Sequence, residues 1–143
     1  MPIITPTTGD RFPSVASTAT IKLDTGQSGG RLSVIEHEVD LGAGPPPHTH
    51  THEEVILVLD GTHEVLLGDN RAAAQTGDLV HVPAGVVHTT RCTSPEGGRL
   101  LTFYAPGGGE GFFREASSLT PGDAAAMLAL ATKYDTHIVP QAG

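Results

Sequence analysis

The chain has 143 residues, 38% of them apolar, with 18 glycines and 11 prolines. That length suits one domain with its own core, and so many turn-forming residues favour short strands over long helices. The formal net charge of −8 argues against nucleic-acid phosphates and anionic membranes as partners, and no apolar run approaches the ~18 residues of a membrane span.

Short runs with strand character recur between Gly, Pro and Asp punctuation, at Thr18–Leu23, Arg31–Leu41, Glu53–Leu59, His63–Leu67, Asp78–Val82, His88–Cys92 and Arg99–Tyr104. Their even spacing predicts an all-β antiparallel sandwich or barrel. In the run from Glu54 to Leu59, Glu54, Ile56 and Val58 share one face and Val55, Leu57 and Leu59 the other, so both faces are expected to be covered. One helix is predicted near the C-terminus, over about 121–134, with Thr120 as its cap, Pro121 in its first turn and Asp123 at the capping-box position. Met127, Leu130, Ala131 and Tyr134 form its packing stripe. The intervening stretch 105–118 reads as a glycine-rich connection.

The chemistry lies in two segments. Residues 42–61 read GAGPPPHTHTHEEVILVLDG, and on an extended strand His48, His50, His52 and Glu54 all project to one side. Residues 77–92 read GDLVHVPAGVVHTTRC and offer His88 just after a Pro-x-Gly turn. Three imidazoles and a carboxylate suit a first-row divalent ion, provided the fold brings residue 88 across to residues 48–54. His52 has two readings: a histidine at the rim of the site, or a fourth imidazole in place of Glu54. His37, His63 and His81 read as structural histidines, and Cys92 as a buried apolar filler. Cys92 stands alone, which admits no intrachain disulfide, and the N-terminal MPIITPTTGDRFPS lacks the basic start and apolar stretch of a secretory signal. A cytoplasmic location is therefore expected.

The first segment has the form G-x5-H-x-H-x3-E-x6-G, with Gly42, His48, His50, Glu54 and Gly61. The second has the form G-x5-P-x-G-x2-H-x3-N, with Gly77, Pro83, Gly85 and His88, and departs from it only where Cys92 replaces Asn. In these two motifs the chain resembles the cupins. The resemblance implies a single domain over residues 1–143, built as a double-stranded β-helix (a jelly-roll barrel) with a short C-terminal helix. It also implies one divalent metal ion per chain, held by His48, His50, Glu54 and His88, and a homodimer. Cupins that have lost their metal lack several of these ligands, whereas this chain has all of them.

The barrel wall is expected to be apolar, from Val34, Ile56, Val58, Val80, Val82 and either Phe103 or Tyr104, and no Arg/Lys cluster near the motifs offers a phosphate clamp. Such a pocket suits a small apolar, carbonyl-rich or aromatic substrate. The stretch APGG…FFRE followed by a helix is similar both to small quercetinase-like cupins and to single-domain aromatic polyketide cyclases. The first expectation is a non-redox cyclase that enolises a poly-β-carbonyl chain on zinc, with Glu54 and His52 as the proton-handling residues. The second is a flavonol-cleaving dioxygenase with Fe, Ni, Mn or Cu, and the third a non-catalytic binding cupin. Sulfonium-compound lyases of the family carry a tyrosine where this chain has Ile56.

Overall fold

The computed structural model describes residues 3–140. In chain order the elements are β1 (Asp10–Pro13), β2 (Ser17–Leu23), α1 (Thr25–Ser28), β3 (Ser33–Val39), β4 (His48–Thr49), β5 (Glu53–Asp60), β6 (Thr62–Leu67), β7 (Asn70–Gln75), β8 (Leu79–Val82), β9 (His88–Cys92), β10 (Gly98–Ala105), α2 (Glu110–Ala116), α3 (Ala124–Lys133) and β11 (His137–Ile138). They form a six-stranded sheet in the order β1-β2-β3-β10-β5-β8 and a five-stranded sheet in the order β11-β4-β9-β6-β7. Every strand pairing is antiparallel. Two such sheets, joined by short helices, make the jelly roll expected from the sequence. Among the described residues no helix is long and apolar enough to cross a membrane.

The alternation in β5 sets the core. Glu54, Ile56 and Val58 point inward and are buried, while Val55, Leu57 and Leu59 on the outer face are half-buried. Residues directly opposite each other on paired strands share a face. Ile56 faces Thr102 on β10 and Val80 on β8, and Val58 faces Leu100. Val65 and Ala74 from the second sheet complete the cluster with Val58, Val82 and Leu100, and Leu67 and Val80 pack against it. The register also corrects the expected wall. Tyr104 lies opposite Glu54 and faces inward, whereas Phe103 lies opposite Val55 and Val34 and faces outward. Val34 therefore belongs to the outer face, and its neighbour Ile35, at 0% exposure, takes the interior place.

The predicted strands are present with small shifts at their ends. Four further strands and two helices arise where local sequence is a weak guide. β7 reads NRAAAQ, without the β-branched or aromatic residues that mark strands, and exists because it pairs along β6. β4 and β11 are two residues each and β1 is a short edge strand. α1 is one turn, closed by a capping box between Asp24 and Gln27. α2 starts directly after the glycine run; its Gly111 is needed because a Cβ there would lie 2.5 Å from the Tyr134 hydroxyl.

The C-terminal helix begins later than the capping argument placed it. Asp123, not Thr120, is the cap, its carboxylate accepting from the Ala126 amide at 3.0 Å, and Pro121 lies in the preceding turn. Leu130 and Ala131 are buried as the stripe requires, whereas Met127 is exposed and Tyr134 half-buried. A pair between Lys133 and Glu115 at 2.7 Å ties α3 to α2.

Candidate metal centre

Each candidate side chain arrives by a different route. His48 on β4 stands opposite His88 on β9 in the five-stranded sheet. Glu54 projects from β5 in the six-stranded sheet. His50 lies between them, just before the bend at Thr51 and His52 where the chain crosses from one sheet to the other. The Pro-x-Gly turn of the second motif closes onto this crossing: Gly85, at φ 79°, donates its amide to the His50 carbonyl at 2.8 Å. All of these side chains are buried. His48, His50 and His88 each present a ring nitrogen, and these nitrogens lie within 4.8 Å of one another, so together they can hold a metal ion.

The rings are oriented by the backbone. His48 Nδ1 donates to the Pro46 carbonyl, His50 Nδ1 to the His52 carbonyl and His88 Nδ1 to the Val86 carbonyl, each at 2.9 Å. With Nδ1 carrying the proton, Nε2 turns its lone pair toward the common centre, the arrangement that metal-binding histidines share. His88 Nε2 is buried and has no hydrogen-bond partner among the described residues. A buried polar atom left in that state costs about 1–3 kcal/mol, which a cation at the centre offsets. The donor set therefore fits a first-row divalent ion.

Glu54 adds a negative charge. Its Oε1 is 3.0 Å from His50 Nε2 and 3.5 Å from His88 Nε2. Burial alone raises a carboxyl pKa, but the hydrogen bond from His50 and the proximity of His88 prevail and hold Glu54 down at about 2. Burial likewise opposes protonation of His50, yet the bond to Glu54 keeps its pKa above the ordinary value. His48 is pushed down to about 4, by desolvation first and then by His88. The centre thus brings a carboxylate and three imidazoles together, a set of groups that attracts a cation.

His52 sits apart. Strand parity aligns it with His48 and His50 only if the strand is continuous, and the bend at residues 51–52 breaks that continuity. Its ring stacks on His50 at 4.0 Å and 7°, meets Tyr104 edge-on at 5.4 Å, and is not among the nitrogens grouped within 4.8 Å. The other strand histidines are not among the grouped nitrogens. His37 packs edge-on to Phe113 of α2, His63 is buried with Nε2 on the Asp60 carbonyl, and exposed His81 pairs with Glu53. Tyr104 is the neighbour that sequence reasoning left open. Its place opposite Glu54 depends on the register of β10 on β5, for which no local signal exists.

Comparison with known proteins bears on the family and the fold. The Cupin domain family profile matches residues 35–104, a span that holds both motifs. The quercetin 2,3-dioxygenase of Bacillus subtilis is 33% identical over 101 residues, which cover 69% of this chain but only 29% of that protein. An uncharacterized protein of Streptomyces coelicolor is 31% identical over 75 residues, covering 52% of this chain and 70% of its own length. Among solved structures, the polyketide cyclase RemF from Streptomyces resistomycificus superposes with a TM-score of 0.64 at 23% identity, covering 73% of this chain and 79% of the cyclase. With its two motifs, its two-sheet jelly roll and these relatives, the chain belongs to the cupin superfamily.

Proposed function

We propose that this protein is a metal-dependent enzyme acting on a small carbonyl-rich molecule, and that its reaction is non-redox ring closure of a poly-β-carbonyl chain. The observation that carries this reading is the convergence of three backbone-anchored imidazoles on one point, beside Glu54 and the inward-facing Tyr104, in a barrel with an apolar core cluster. His48, His50, His88 and Glu54 hold the ion, zinc in first place. When bound there, the ion supplies Lewis acidity to paired substrate oxygens.

His52 is the acid–base group in this scheme. Burial, and then the neighbouring His50, lower its pKa, so its imidazole is neutral at pH 7 and able to accept a proton. It takes the proton from the carbon between two carbonyls, and the resulting enolate carbon attacks a second carbonyl of the same chain. A C–C bond forms, the new alkoxide recovers the proton from His52, and loss of water leads toward an aromatic ring. Glu54 holds His50 in place and keeps negative charge beside it, while Ile56, Val58, Val80 and Val82 exclude water and limit how the chain folds.

Likeness to the Bacillus subtilis dioxygenase favours a second reading, flavonol cleavage with dioxygen on Fe, Ni, Mn or Cu. Elemental mass spectrometry on tag-free protein, followed by paired assays, separates the two. Ring closure of a polyketone under strict anaerobiosis supports the cyclase, and flavonol-dependent oxygen uptake supports the dioxygenase. Saturable binding with turnover in neither assay leaves a binding module. The working form in this proposal is a cytoplasmic homodimer, paired through the apolar outer face of β5.

A further inference from the structure

The C-terminal segment reaches the centre without belonging to either motif. After α3 the chain turns at Asp135, whose φ of 58° lies in the left-handed region that non-glycine residues rarely occupy. It then runs back as β11 along β4, placing His137 opposite Thr49 and Ile138 opposite His48, and Val139 donates its amide to the Pro47 carbonyl at 2.9 Å. The strand that carries His48 is thus flanked by β9 on one side and by the C-terminal strand on the other.

Asp135 itself grips the bend. Its Oδ2 accepts the Thr51 amide at 3.0 Å and also the Thr51 hydroxyl, and its Oδ1 is 3.1 Å from His137 Nε2. Thr51 lies between His50 and His52, and across the same residues His50 Nδ1 donates to the His52 carbonyl. One bend is therefore closed on the inside by His50 and on the outside by Asp135. Any movement that frees Thr51 from Asp135 shifts the carbonyl that sets the tautomer and direction of His50. Nothing else among the described hydrogen bonds ties the Thr51 side chain to the fold.

We infer that Asp135 is a positioning residue for the metal centre: by fixing Thr51 it orients His50, and so sets how tightly the protein holds a divalent ion. The inference rests on the metal reading proposed above and on none of the reaction chemistry. Outer partners that orient metal-binding histidines typically contribute about 10–100-fold in metal affinity.

The test uses full-length protein stripped with a chelator and titrated with Co(II) and Zn(II) against a competing chelator. The visible spectrum of the Co(II) form and the melting temperature of the metal-free form are recorded alongside. Asp135→Ala is expected to weaken affinity about 10–100-fold and to change the Co(II) spectrum. Asp135→Asn keeps one acceptor oxygen for the Thr51 amide and recovers most of that loss. A purely structural role lowers the metal-free melting temperature and leaves affinity and spectrum alone, which overturns the inference but not the metal reading. Wild-type protein that binds neither ion overturns both. Should Asp135→Ala fail to fold, Thr51→Val removes the hydroxyl bond while keeping the amide bond and the β11–β4 pairing; combined with Asp135→Ser, which withdraws the carboxylate from the amide, it carries the same test, with weakened affinity in support and unchanged affinity in the pair against.

Discussion

His48 and His88 come from different motifs yet face each other across β4 and β9, their ring centroids 4.2 Å apart, and they are the sole register pair that joins those two strands. Their contact joins a ligand candidate of the second motif directly to one of the first, so a change at either residue should act on the whole centre.

His88→Ala is the sharpest form of that expectation. Metal content by elemental mass spectrometry should fall from about one ion per chain to background. Wild-type protein at an ion concentration a hundredfold above Kd gains about 2.7 kcal/mol of stability from binding. That metal-dependent rise in melting temperature should vanish in the variant. Full metal content in His88→Ala would place the centre elsewhere.

Glu54 and His52 should separate cleanly. Glu54→Gln removes the charge beside His50 and His88, and is expected to weaken metal affinity at least about tenfold, since metal sites lose this much even when an orienting partner is removed. His52→Ala should retain the ion, because its ring stacks outside the triad, while kcat falls about 10²–10⁴-fold as expected for loss of a general base. Isothermal titration with the ion and steady-state kinetics on the same preparations decide the matter. Metal loss in His52→Ala with retention in Glu54→Gln would exchange their roles.

Acid sensitivity of the metal-free protein follows from two desolvated imidazoles. His37 and His48 are both held near pKa 4, chiefly by desolvation, against an ordinary 6.5. Between those values the unfolded chain binds more protons than the folded one, so stability should decline as pH falls from about 6.5 to 4. His50, with its raised pKa, works in the opposite sense: its contribution is present below 6.5 and is lost as pH rises through the folded value. Glu54, depressed to about 2 from 4.5, adds a further loss only below pH 4.5. Urea midpoints at pH 7, 5.5 and 4.5 should fall in that order, and His37→Asn should flatten the slope. A level profile would mean that His37 and His48 titrate as exposed histidines do.

The outer face of the six-stranded sheet supplies the dimer prediction. Leu79, at 63% exposure, lies opposite Leu57, with half-buried Val55, Leu101 and Phe103 on the same face. Sedimentation velocity should show a dimer for the wild type and a shift toward monomer for Leu79→Lys. A wild-type protein that sediments as a monomer at tens of micromolar ends that proposal.

Much of this protein is legible before folding. The strands around Ile35, Ile56, Val65 and Leu100 announce themselves because apolar alternation and Gly or Pro breaks are local properties of the chain. His48, His50, Glu54 and His88 stand out because both motifs space their histidines around turns that only certain residues form. What stayed hidden is nonlocal. β7 is a strand because β6 lies beside it, not because of its alanines. Tyr104 faces inward and Phe103 outward through the register of β10 on β5, and the same register turned Val34 to the outer face. His52 has the parity of its neighbours but not their place, because parity holds only along an unbroken strand and the chain bends at Thr51. That bend is held by Asp135, far along the chain, and no spacing rule connects the two. The residue types and their intervals marked the chain as a cupin and nominated its candidate metal-binding groups. Strand register, the crossing between sheets and the returning C-terminal strand decided which of those groups meet, because hydrogen-bond partners distant in sequence are set only when the whole chain packs.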